Sequence, residues 1–529
     1  MESGKVLIPS AAAIGLVVLL TAIGFLLWPF VCAGQTSFVN CRFGFAAVLL
    51  DPSDYSDIGR LHAGWYHRFR TEVDPTRPEG MEHVQMVRLH QSKESPCGAY
   101  TTPYTYTLTN PTDWATLRTY VENNEGSLWL IGNEMDRRDW IDDGTCWTQD
   151  EMLPSVYAVA YHELYQAIKG WDPTAKVAIG GVIQATPLRL QYLDMILDEY
   201  WARYGERMPV DVWNVHGFIL REERGSWGAD IPPGISATQG KLYKIKDNDN
   251  MSLFKQQIVA FRQWMAEKGE RNKPLIITEY GINMAPDIVD ENDNDFDVYR
   301  VRAFMYATFD YFLGPESVDT SLGYPPDGNR LVQRWNWYSL DDDSGYYDTW
   351  GVWRQRYNGN LFDSGLNPTA SPKPKGINFL GEEWETYITS HVPVPYVNLM
   401  PARIFSDPAA PYSPTDPVTL TLKAEVGNSG SKAASGSFVV RFYDGPPPLG
   451  AGNQIGTDQT ISDLCGCGGA ETVEVTWASV PPGAHQVYIV VDAQETISES
   501  NEDDNTGSGV ILVATHRILL PLITKAYSP

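Results

Sequence analysis

Eight short apolar segments, most of them separated by helical spacing, are the feature that most limits the folds open to this chain. The strand candidates are 42–50, 62–69, 83–90, 127–134, 176–184, 211–218, 274–280 and 331–340. Apolar residues recur about every 3.6 positions in the intervening segments 114–121, 156–168, 188–204, 253–265 and 301–312, and 372–388 supplies a closing helix. This alternation predicts an α/β fold, a (β/α)8 TIM barrel over residues 40–391. Functional side chains are then expected at the C-terminal ends of the strands.

Two of the predicted strands, the fourth and the seventh, end in a glutamate. Glu134 follows an apolar run and stands next to Asn133, and Glu279 ends a second apolar run. Hydrolysis of an acetal needs one carboxylic acid to protonate the leaving oxygen and one carboxylate to attack or to position water. Two glutamates at one barrel mouth fit this need, because burial and hydrogen bonds can separate their pKa values. An amide beside the acid can also bind a sugar hydroxyl.

Further site candidates come from other predicted strands. Asn214 and His216 lie two positions apart on strand six and therefore share one face. On strand eight Trp335 and Trp337 share a face, and we expect Trp335 to stack on a sugar, with an aromatic core plug as the alternative. The remaining candidates for substrate binding are Tyr280, Trp65 and Arg88.

Charge and composition exclude some classes of partner. The 529 residues include 40 Lys plus Arg and 66 Asp plus Glu, a formal net charge of −26. This charge repels nucleic acid and anionic lipid headgroups, so no nucleic-acid partner is expected. The 17 Trp and 28 Tyr suit the stacking of sugars as well as large cores. A polysaccharide or oligosaccharide is the expected partner.

The N-terminus has the composition of a targeting segment. No charged residue occurs between Lys5 and Arg42, and residues 11–30 are nearly all apolar, which is about the length of a membrane-spanning helix. Small residues near Ala33 also allow signal cleavage. Residues 1–33 are therefore predicted to be a signal peptide or a retained membrane anchor, and the body of the chain is predicted to be extracellular or at the cell surface.

Export permits disulfides, and the chain has six cysteines. Cys97 and Cys146 follow the third and fourth predicted strands at one barrel face, so we expect them to form a bridge. Cys465 and Cys467 either close a small ring or pair elsewhere, and Cys41 has no clear partner. Their spacing does not repeat as in a zinc site, so no metal is predicted. No cofactor is predicted either, since a Gly-rich phosphate loop is absent from the sequence.

Two acidic runs could supply oxygen ligands for calcium. They are 290–295 and 341–343, and neither matches a known calcium-loop spacing. We therefore expect solvated acidic loops at both places.

Composition changes after His391, where prolines crowd residues 392–417. This stretch is a linker or the first strand of a new domain. Over residues 395–514 apolar and polar residues alternate between turn clusters, which predicts an all-β immunoglobulin-like sandwich. Residues 515–529 form an added strand or a C-terminal tail.

Clan A glycoside hydrolases have strand ends similar to two segments of this chain, 129–134 (WLIGNE) and 275–281 (LIITEYG). Segments 64–67 (GWYH) and 83–88 (HVQMVR) further resemble the family 128 type of that clan, which acts on β-glucans. The resemblance implies a retaining enzyme with Glu134 as acid/base and Glu279 as nucleophile. One position departs from it: many relatives have a strand-six tyrosine that touches the nucleophile, and Phe218 has no hydroxyl. Tyr280 or a loop tyrosine would then stand in.

The second domain resembles the bacterial cell-adhesion-related domain CARDB. The similar segments are 426–430 (VGNSG), 442–445 (FYDG) and 491–505, which ends in ESNEDDN. Such modules space, anchor or adhere, so catalysis is expected only in the barrel. The chain is thus expected to be an exported retaining β-glycosidase acting on a β-glucan-like polysaccharide. The alternative is a non-catalytic surface protein that binds glycans on a barrel scaffold.

Overall fold

The fold is described from a computed structural model of the chain. It covers residues 40–516 apart from 96, 143–144, 148, 348–352, 367–373 and 448–452, and at 140–142, 145–147 and 346 it covers the backbone only. The predicted signal or anchor, including residues 11–30, lies outside the described residues, as does most of the predicted tail. Within the described part, no helix is both long and apolar enough to cross a membrane.

Eight parallel strands form the barrel. They are β1 (Asn40–Ala47), β2 (Ala63–Arg68), β3 (Glu82–Gln91), β4 (Leu128–Asn133), β5 (Lys176–Gly181), β6 (Trp213–Val215), β7 (Leu275–Tyr280) and β8 (Arg334–Tyr338). Neighbouring strands follow the order β5-β4-β3-β2-β1-β8-β7-β6. Parallel bridges Ala178–Val212 and Val182–Val215 join the two ends of this series and close the ring. The predicted (β/α)8 barrel is confirmed.

Within the described residues, six α-helices surround the strands. They are α1 (Trp114–Asn123), α2 (Pro154–Trp171), α3 (Pro187–Tyr204), α4 (Met251–Glu267), α5 (Val298–Leu313) and α6 (Phe379–His391). Short 3-10 turns replace helices after β1 and β2, at 52–54, 58–61 and 78–80, and others occur at 245–247, 315–317 and 325–327. The closing helix begins later than predicted, because Asn378 caps it and Gly376–Ile377 pairs as a strand with Phe362–Asp363.

Additional short strands decorate the C-terminal ends of the barrel strands. Tyr106–Asn110 pairs antiparallel with β3. Two hairpins follow β4 and β8, formed by Trp140–Asp142 with Thr145–Trp147 and by Gly345–Tyr347 with Trp353–Gln355. The long connections therefore lie on the face where the carboxyl ends of the strands open.

Each barrel strand is buried on both sides, which explains its apolar character. On β4, Leu128 and Leu130 join Trp65 in a core inside the barrel, whereas Trp129 and Ile131 join the larger core under the helices. Alternate residues of a strand point to opposite faces. Parity along each strand thus decides whether a side chain faces the barrel axis or the helices.

The described part of the second domain has seven antiparallel strands. They are β9 (Leu399–Asp407), β10 (Val418–Asn428), β11 (Ala434–Asp444), β12 (Gln454–Leu464), β13 (Gly469–Val480), β14 (Gly483–Val490) and β15 (Thr506–Val513). Sheets β9-β10-β13 and β12-β11-β14-β15 share one apolar core. The predicted all-β class of this region is confirmed.

A disulfide and a hydrogen bond from a buried arginine join the two domains beneath the barrel. Cys41, at the start of β1, is bonded to Cys467 across 426 residues of sequence. Next to it, Arg42 is 2% exposed and donates to both carboxylate oxygens of Asp327 and to the Ser429 carbonyl of the sandwich. The sandwich therefore contacts the end of the barrel opposite the C-terminal strand ends.

The disulfides differ in part from the sequence expectation. Cys41 does have a partner, Cys467, which therefore does not close a ring with Cys465. Cys465 is in a disulfide as well, and so is Cys97. The predicted partner of Cys97 is Cys146, whose side chain lies outside the described part of the structure.

Candidate active site

The two glutamates reach the same mouth by different local distortions. Glu134 follows β4 with φ of +48°, after Gly132 at +81°, so the chain turns sharply as it leaves the strand. Uncommon backbone of this kind clusters at functional sites. On β7 the register shifts between Ile277 and Tyr280. A shift of register changes the direction of the side chains that follow. Here the Glu279 side chain points to the barrel axis, where it contacts His216, and the Tyr280 side chain faces the helices.

His216 lies between the two carboxylates. Its Nδ1 is 3.2 Å from Glu134 Oε1, and its Nε2 is 3.4 Å from Glu279 Oε1. The first contact is a hydrogen bond; in the second, neither atom has a hydrogen-bond partner. One polar atom from each of the three residues lies within 4.8 Å of the others. All three side chains are buried, so the carboxylates interact in a medium of low polarity.

The strands next to β6 make room for this imidazole. A Cβ at Gly181 of β5 would lie 2.3 Å from His216 Nε2. Only glycine leaves space for the ring at that point. The sequence Gly180-Gly181 at the end of β5 is therefore part of the site architecture.

The charges around the glutamates separate their pKa values. Burial raises the pKa of Glu134, but Arg137 at 3.1 Å and His216 outweigh it and lower the pKa to about 2. Burial raises the pKa of Glu279 to about 7; His216 opposes this rise, and the charge of Glu134 adds to it. For His216 burial lowers the pKa, and Glu279 and Glu134 together reverse this and raise it.

Several buried polar atoms at the mouth have no hydrogen-bond partner in the protein. Asn214 accepts from Thr278 through Oδ1 and leaves Nδ2 without a partner. On the barrel axis, Asn336 Nδ2 contacts His67 Nδ1 at 2.8 Å, which leaves His67 Nε2 and Asn336 Oδ1 unpartnered. Asn133 Oδ1 is also unpartnered. Buried polar atoms without partners are costly, so their accumulation at one place indicates a site built for a polar ligand.

Arg88 belongs to the same region. Its Nε donates to both oxygens of Asp150, at 3.0 and 2.8 Å, and Asp150 also accepts from the Asn133 amide. Burial lowers the pKa of Arg88, and the charges of Asp150, Glu279 and Glu134 more than reverse this. Arg88 thus fixes the backbone next to Glu134 and adds positive potential to the mouth.

Three predicted binding residues do not join the mouth. Trp335 is fully buried and stacks on Phe312 of α5 at 4.5 Å. Tyr280 also packs under the helices, where its hydroxyl accepts from Thr308. Trp65 lies inside the lower barrel core and donates to the Arg42 carbonyl. Stacking of Trp335 on a sugar does not fit this placement; the alternative of an aromatic core plug does.

The parity of β8 explains the difference. Trp335 and Trp337 face the helices, whereas Asn336 and Tyr338 face the axis. The predicted pair of tryptophans does share a face, but that face is the outer one. The two-residue period of a strand gives two alternating sets of side chains but does not say which set faces the axis. The aromatic character of Trp335 and Trp337 suggested the set that in fact faces the helices.

Other residues of the mouth were missed. Arg137 follows Glu134 by three positions, a spacing at which side chains can meet, and could have been noticed. His67 and Asn336 could have been found from the same parity argument as Asn214. Tyr357 gave no local signal, because it comes from a loop after β8; its buried, unpartnered hydroxyl lies 3.2 Å from the Cβ position of Gly281.

Phe218, which stands where many relatives have a tyrosine, lies close to the candidate site. Phe218 is buried, with its ring 6.2 Å from that of His216 and 6.1 Å from that of Tyr338. Tyr338 donates its hydroxyl to Asp342 at 2.7 Å. Tyr280 points away from the mouth, whereas Tyr357, from the loop after β8, lies close enough to Glu279 for that charge to help raise the pKa of its hydroxyl.

The acidic run 341–343 is not solvated, contrary to expectation. Asp341 accepts from the amides of residues 48–50 and from Tyr55, and Asp343 binds Ser364 and Asn360. In the second run, Asp290 accepts from two loop amides and pairs with Arg300. These carboxylates organise loops. Among the described residues, the one set spaced closely enough for a cation is Glu134, His216 and Glu279, and its contacts suit acid–base chemistry.

Comparison with known proteins separates the two domains. Residues 398–508 match the sequence model of the CARDB family. No curated protein matches the chain. Among solved structures, a GH128 subgroup II endo-β-1,3-glucanase from Sorangium cellulosum aligns over 65% of this chain and 98% of its own, with 14% identity and a TM-score of 0.37.

Two further solved structures are similar to different parts of the chain. A β-glucuronidase from Bacteroides uniformis covers 90% of this chain and 46% of its own length, at 10% identity and a TM-score of 0.35. The CARDB domain of the PF1109 protein from Pyrococcus furiosus aligns with 23% of this chain and 96% of its own length, at 18% identity and a TM-score of 0.18. The chain thus has a (β/α)8 barrel, which is similar to solved glycoside hydrolases, followed by an all-β region that matches the CARDB family model over residues 398–508.

Proposed function

We propose that the protein is an exported retaining β-glycosidase that cleaves a β-glucan-like polysaccharide by double displacement. Glu134 is the acid/base and Glu279 the nucleophile. The observation that carries the proposal is the approach of these two buried carboxylates at the C-terminal ends of β4 and β7, with oxygens within 4.8 Å of one another.

The separation favours retention over inversion. Retaining enzymes hold their two carboxyl groups about 5–5.5 Å apart, whereas inverting enzymes leave roughly 6.5–9.5 Å for a water molecule. One oxygen of Glu134 lies within 4.8 Å of one oxygen of Glu279, an approach that favours the closer, retaining arrangement. Glu279 would attack the anomeric carbon while Glu134 protonates the leaving oxygen. Glu134 would then remove a proton from the water that hydrolyses the glycosyl ester.

The polar lining supports a sugar in this position. Asn214 Nδ2 can donate, and the imidazole of His67 provides a further polar edge. Burial lowers the pKa of His67 to about 3, so this ring is neutral and suited to hydroxyl groups rather than to an anion. The set resembles what a pyranose requires, namely donors and acceptors around several hydroxyls.

Exposed aromatic residues on the surrounding connections favour a polymer as substrate. Tyr104, Trp227 and Tyr347 follow β3, β6 and β8, and are 53%, 37% and 58% exposed. Aromatic faces on the C-terminal side of a barrel can stack on successive sugar units. These residues take over the role that the sequence suggested for Trp335.

Export is supported by the covalent link between the domains. Disulfides persist in oxidising compartments and are rare in the cytosol. The Cys41–Cys467 bridge has a low exposed fraction at both ends, as expected of a structural disulfide.

A second candidate function is glycan binding without catalysis. Two observations favour it: Phe218 supplies no hydroxyl to the nucleophile, and burial raises the pKa of Glu279 to about 7. A protonated Glu279 cannot attack an anomeric carbon. In this case the polar mouth would hold sugars and leave them intact.

Hydrolysis by glutamine variants decides between the two candidates. Wild type, Glu134→Gln and Glu279→Gln are assayed on β-1,3-glucan, β-1,4-glucan and mannan by release of reducing ends. The proposal predicts wild-type activity on a β-glucan and a loss of at least about a hundredfold in each variant. The matched control is Glu163→Gln, since Glu163 lies on α2 and contacts Tyr106 away from the mouth. Wild-type activity that survives both site changes would contradict the assignment, and binding without hydrolysis would favour the second candidate.

A further inference from the structure

In the free site the surroundings favour a proton on the Glu279 side and an ionised Glu134, which is the reverse of what the proposed chemistry needs. The proposed acid, Glu134, lies between Arg137 and His216, which together favour its ionised form. The proposed nucleophile, Glu279, has no cation as close as Arg137 is to Glu134, and its Oε1 lacks a hydrogen-bond partner. Retaining hydrolysis needs the reverse distribution, with Glu134 protonated and Glu279 ionised.

The geometry offers a route between the two carboxylates. One imidazole contacts both of them, through Nδ1 on one side and Nε2 on the other, at 3.2 and 3.4 Å. The ring is 1% exposed, so bulk water does not compete for its protons. On the Glu279 side both atoms lack partners, which means that a small rotation can form the hydrogen bond without breaking another.

We propose that His216 is a proton relay that passes a proton from the Glu279 side of the mouth to Glu134 before glycosidic bond cleavage. This inference rests on the proposed function, because it concerns the same two glutamates. His216 acts through Glu134 and is therefore a positioning and relay residue rather than a group that attacks the sugar.

The step balances in protons and charge. If the mobile proton starts on Glu279 Oε1, it passes to Nε2 while the Nδ1 proton passes to Glu134. If it starts on Nε2, only the Nδ1 proton moves. Either way the products are a neutral Nε2–H imidazole, a protonated Glu134 and an ionised Glu279. In the first case two coupled transfers prepare both the acid and the nucleophile; in the second Glu279 is already ionised, and one transfer prepares the acid. The reverse movement restores the resting state after turnover.

The groups that face His216 come from each neighbouring element. Glu134 and Asp136 lie at and beyond the end of β4, Glu279 ends β7, and the neutral His67 faces it from β2. β5 presents Gly181, which has no side chain. The carboxylates favour an extra proton on the imidazole, and burial opposes it. These opposed influences keep the cost of moving the proton small.

The charges beyond His216 act on its two partners. Arg137 contacts Glu134 directly, and Arg88 adds positive potential to both glutamates. Binding of a sugar between Glu134 and Arg137 would weaken the ion pair that disfavours protonation of Glu134. The relay therefore predicts that substrate binding and proton transfer are coupled.

A leaving-group comparison tests the relay. His216→Gln keeps a polar side chain of similar reach but cannot relay a proton. Aryl β-glucosides with a poor leaving group need protonation by Glu134, whereas dinitrophenyl glycosides do not. We expect His216→Gln to slow cleavage of the poor leaving group at least about tenfold more than that of the dinitrophenyl glycoside. The alkaline limb of its pH profile should also move to lower pH, because Glu134 must then hold the proton unaided beside Arg137.

His83→Gln is the matched control. His83 is likewise a buried histidine of the barrel, but it packs against Tyr66 on the helix side of β3. Its variant should leave both the leaving-group ratio and the pH profile as in wild type. Equal slowing of both substrates by His216→Gln, with an unchanged pH profile, would show a purely structural role and overturn the relay.

A readout that needs no activity separates this inference from the proposed function. The ¹⁵N signals of His216, assigned by their loss in His216→Gln, are followed against pH in wild type and in Glu279→Gln. The relay requires that the imidazole shares its proton with Glu279, so its apparent pKa should fall when Glu279 loses its charge. An unchanged titration would overturn the relay even if the enzyme hydrolyses β-glucan. A wild type without hydrolysis would refute the proposed function, while this titration would still decide whether the proton is shared.

Discussion

Glu279, the proposed nucleophile, has a charge whose burial opposes the stability of the fold. Its side chain is buried at the end of β7, and the nearest cationic candidate, His216, is not aligned with it as a hydrogen bond. Ionisation of Glu279 in the folded state is therefore unfavourable. Sites that carry such groups commonly trade stability for function.

Replacement of Glu279 should reveal this cost through its pH dependence. The folded-state pKa is raised to about 7, so the group's contribution to stability is greatest below the unfolded pKa and is lost as pH rises through about 7. Glu279→Gln removes the ionisation. Its free energy of unfolding should exceed that of wild type at pH 8 by up to roughly 3 kcal/mol, with little difference at pH 4. Urea unfolding at the two pH values measures this, and a difference independent of pH would refute it.

At this scale the sequence predicted that Glu134 and Glu279 come together, but it did not predict every residue around them. Glu134 and Glu279 stood out because each ends an apolar strand. Trp335 was misplaced because aromatic character does not reveal which parity of β8 faces the axis. Tyr357 was beyond reach, since its place depends on how a loop after β8 folds back over the mouth.

At the scale of elements, strand ends place the site more than strand interiors do. The turn at Gly132–Glu134, the register shift on β7 and the absence of a side chain at Gly181 each direct one of the three central residues. The eight strands and their order follow from hydrophobic patterning. The distortions do not, because a bulge or a positive φ depends on tertiary contacts.

Substitution of Gly181 tests the role of β5. The added Cβ in Gly181→Ala would stand 2.3 Å from His216 Nε2, so the imidazole must move away from the carboxylates. We expect activity on β-glucan to fall at least about tenfold while the far-ultraviolet circular dichroism stays native. Gly170→Ala on α2 is the control, since its Cβ would meet nothing within 4 Å. Equal, near-wild-type activity of both variants would show that the close packing of β5 on His216 is unimportant.

At the scale of the whole molecule, the CARDB-like second domain is attached to the barrel at the N-terminal ends of the strands. The contacts of Cys41, Arg42 and Asp327 all lie where strands begin, whereas the candidate site lies where strands end. The second domain therefore does not close over the mouth. It covers the start of β1 and stabilises the barrel from below, a contact that the sequence did not predict because Cys41 and Cys467 are so far apart.

Removal of the interdomain disulfide should affect stability and spare the site. The double variant Cys41→Ser/Cys467→Ser should lose about 2–5 kcal/mol of unfolding free energy, because the cross-link restricts a very long segment of the unfolded chain. Its hydrolytic rate at 25 °C should stay near that of wild type. Thermal melts with and without reductant measure the first effect. A large loss of activity in the folded double variant would show that the disulfide also affects the candidate active site.

The central claim is that Glu279 forms a covalent glycosyl ester during turnover. Wild type is incubated with a dinitrophenyl 2-deoxy-2-fluoro-β-glucobioside, digested with protease, and analysed by tandem mass spectrometry. The account predicts one added fluoroglycosyl group on the peptide that carries Glu279, and none in Glu279→Gln. A label on another residue, or burst-free turnover without any covalent adduct, would contradict it.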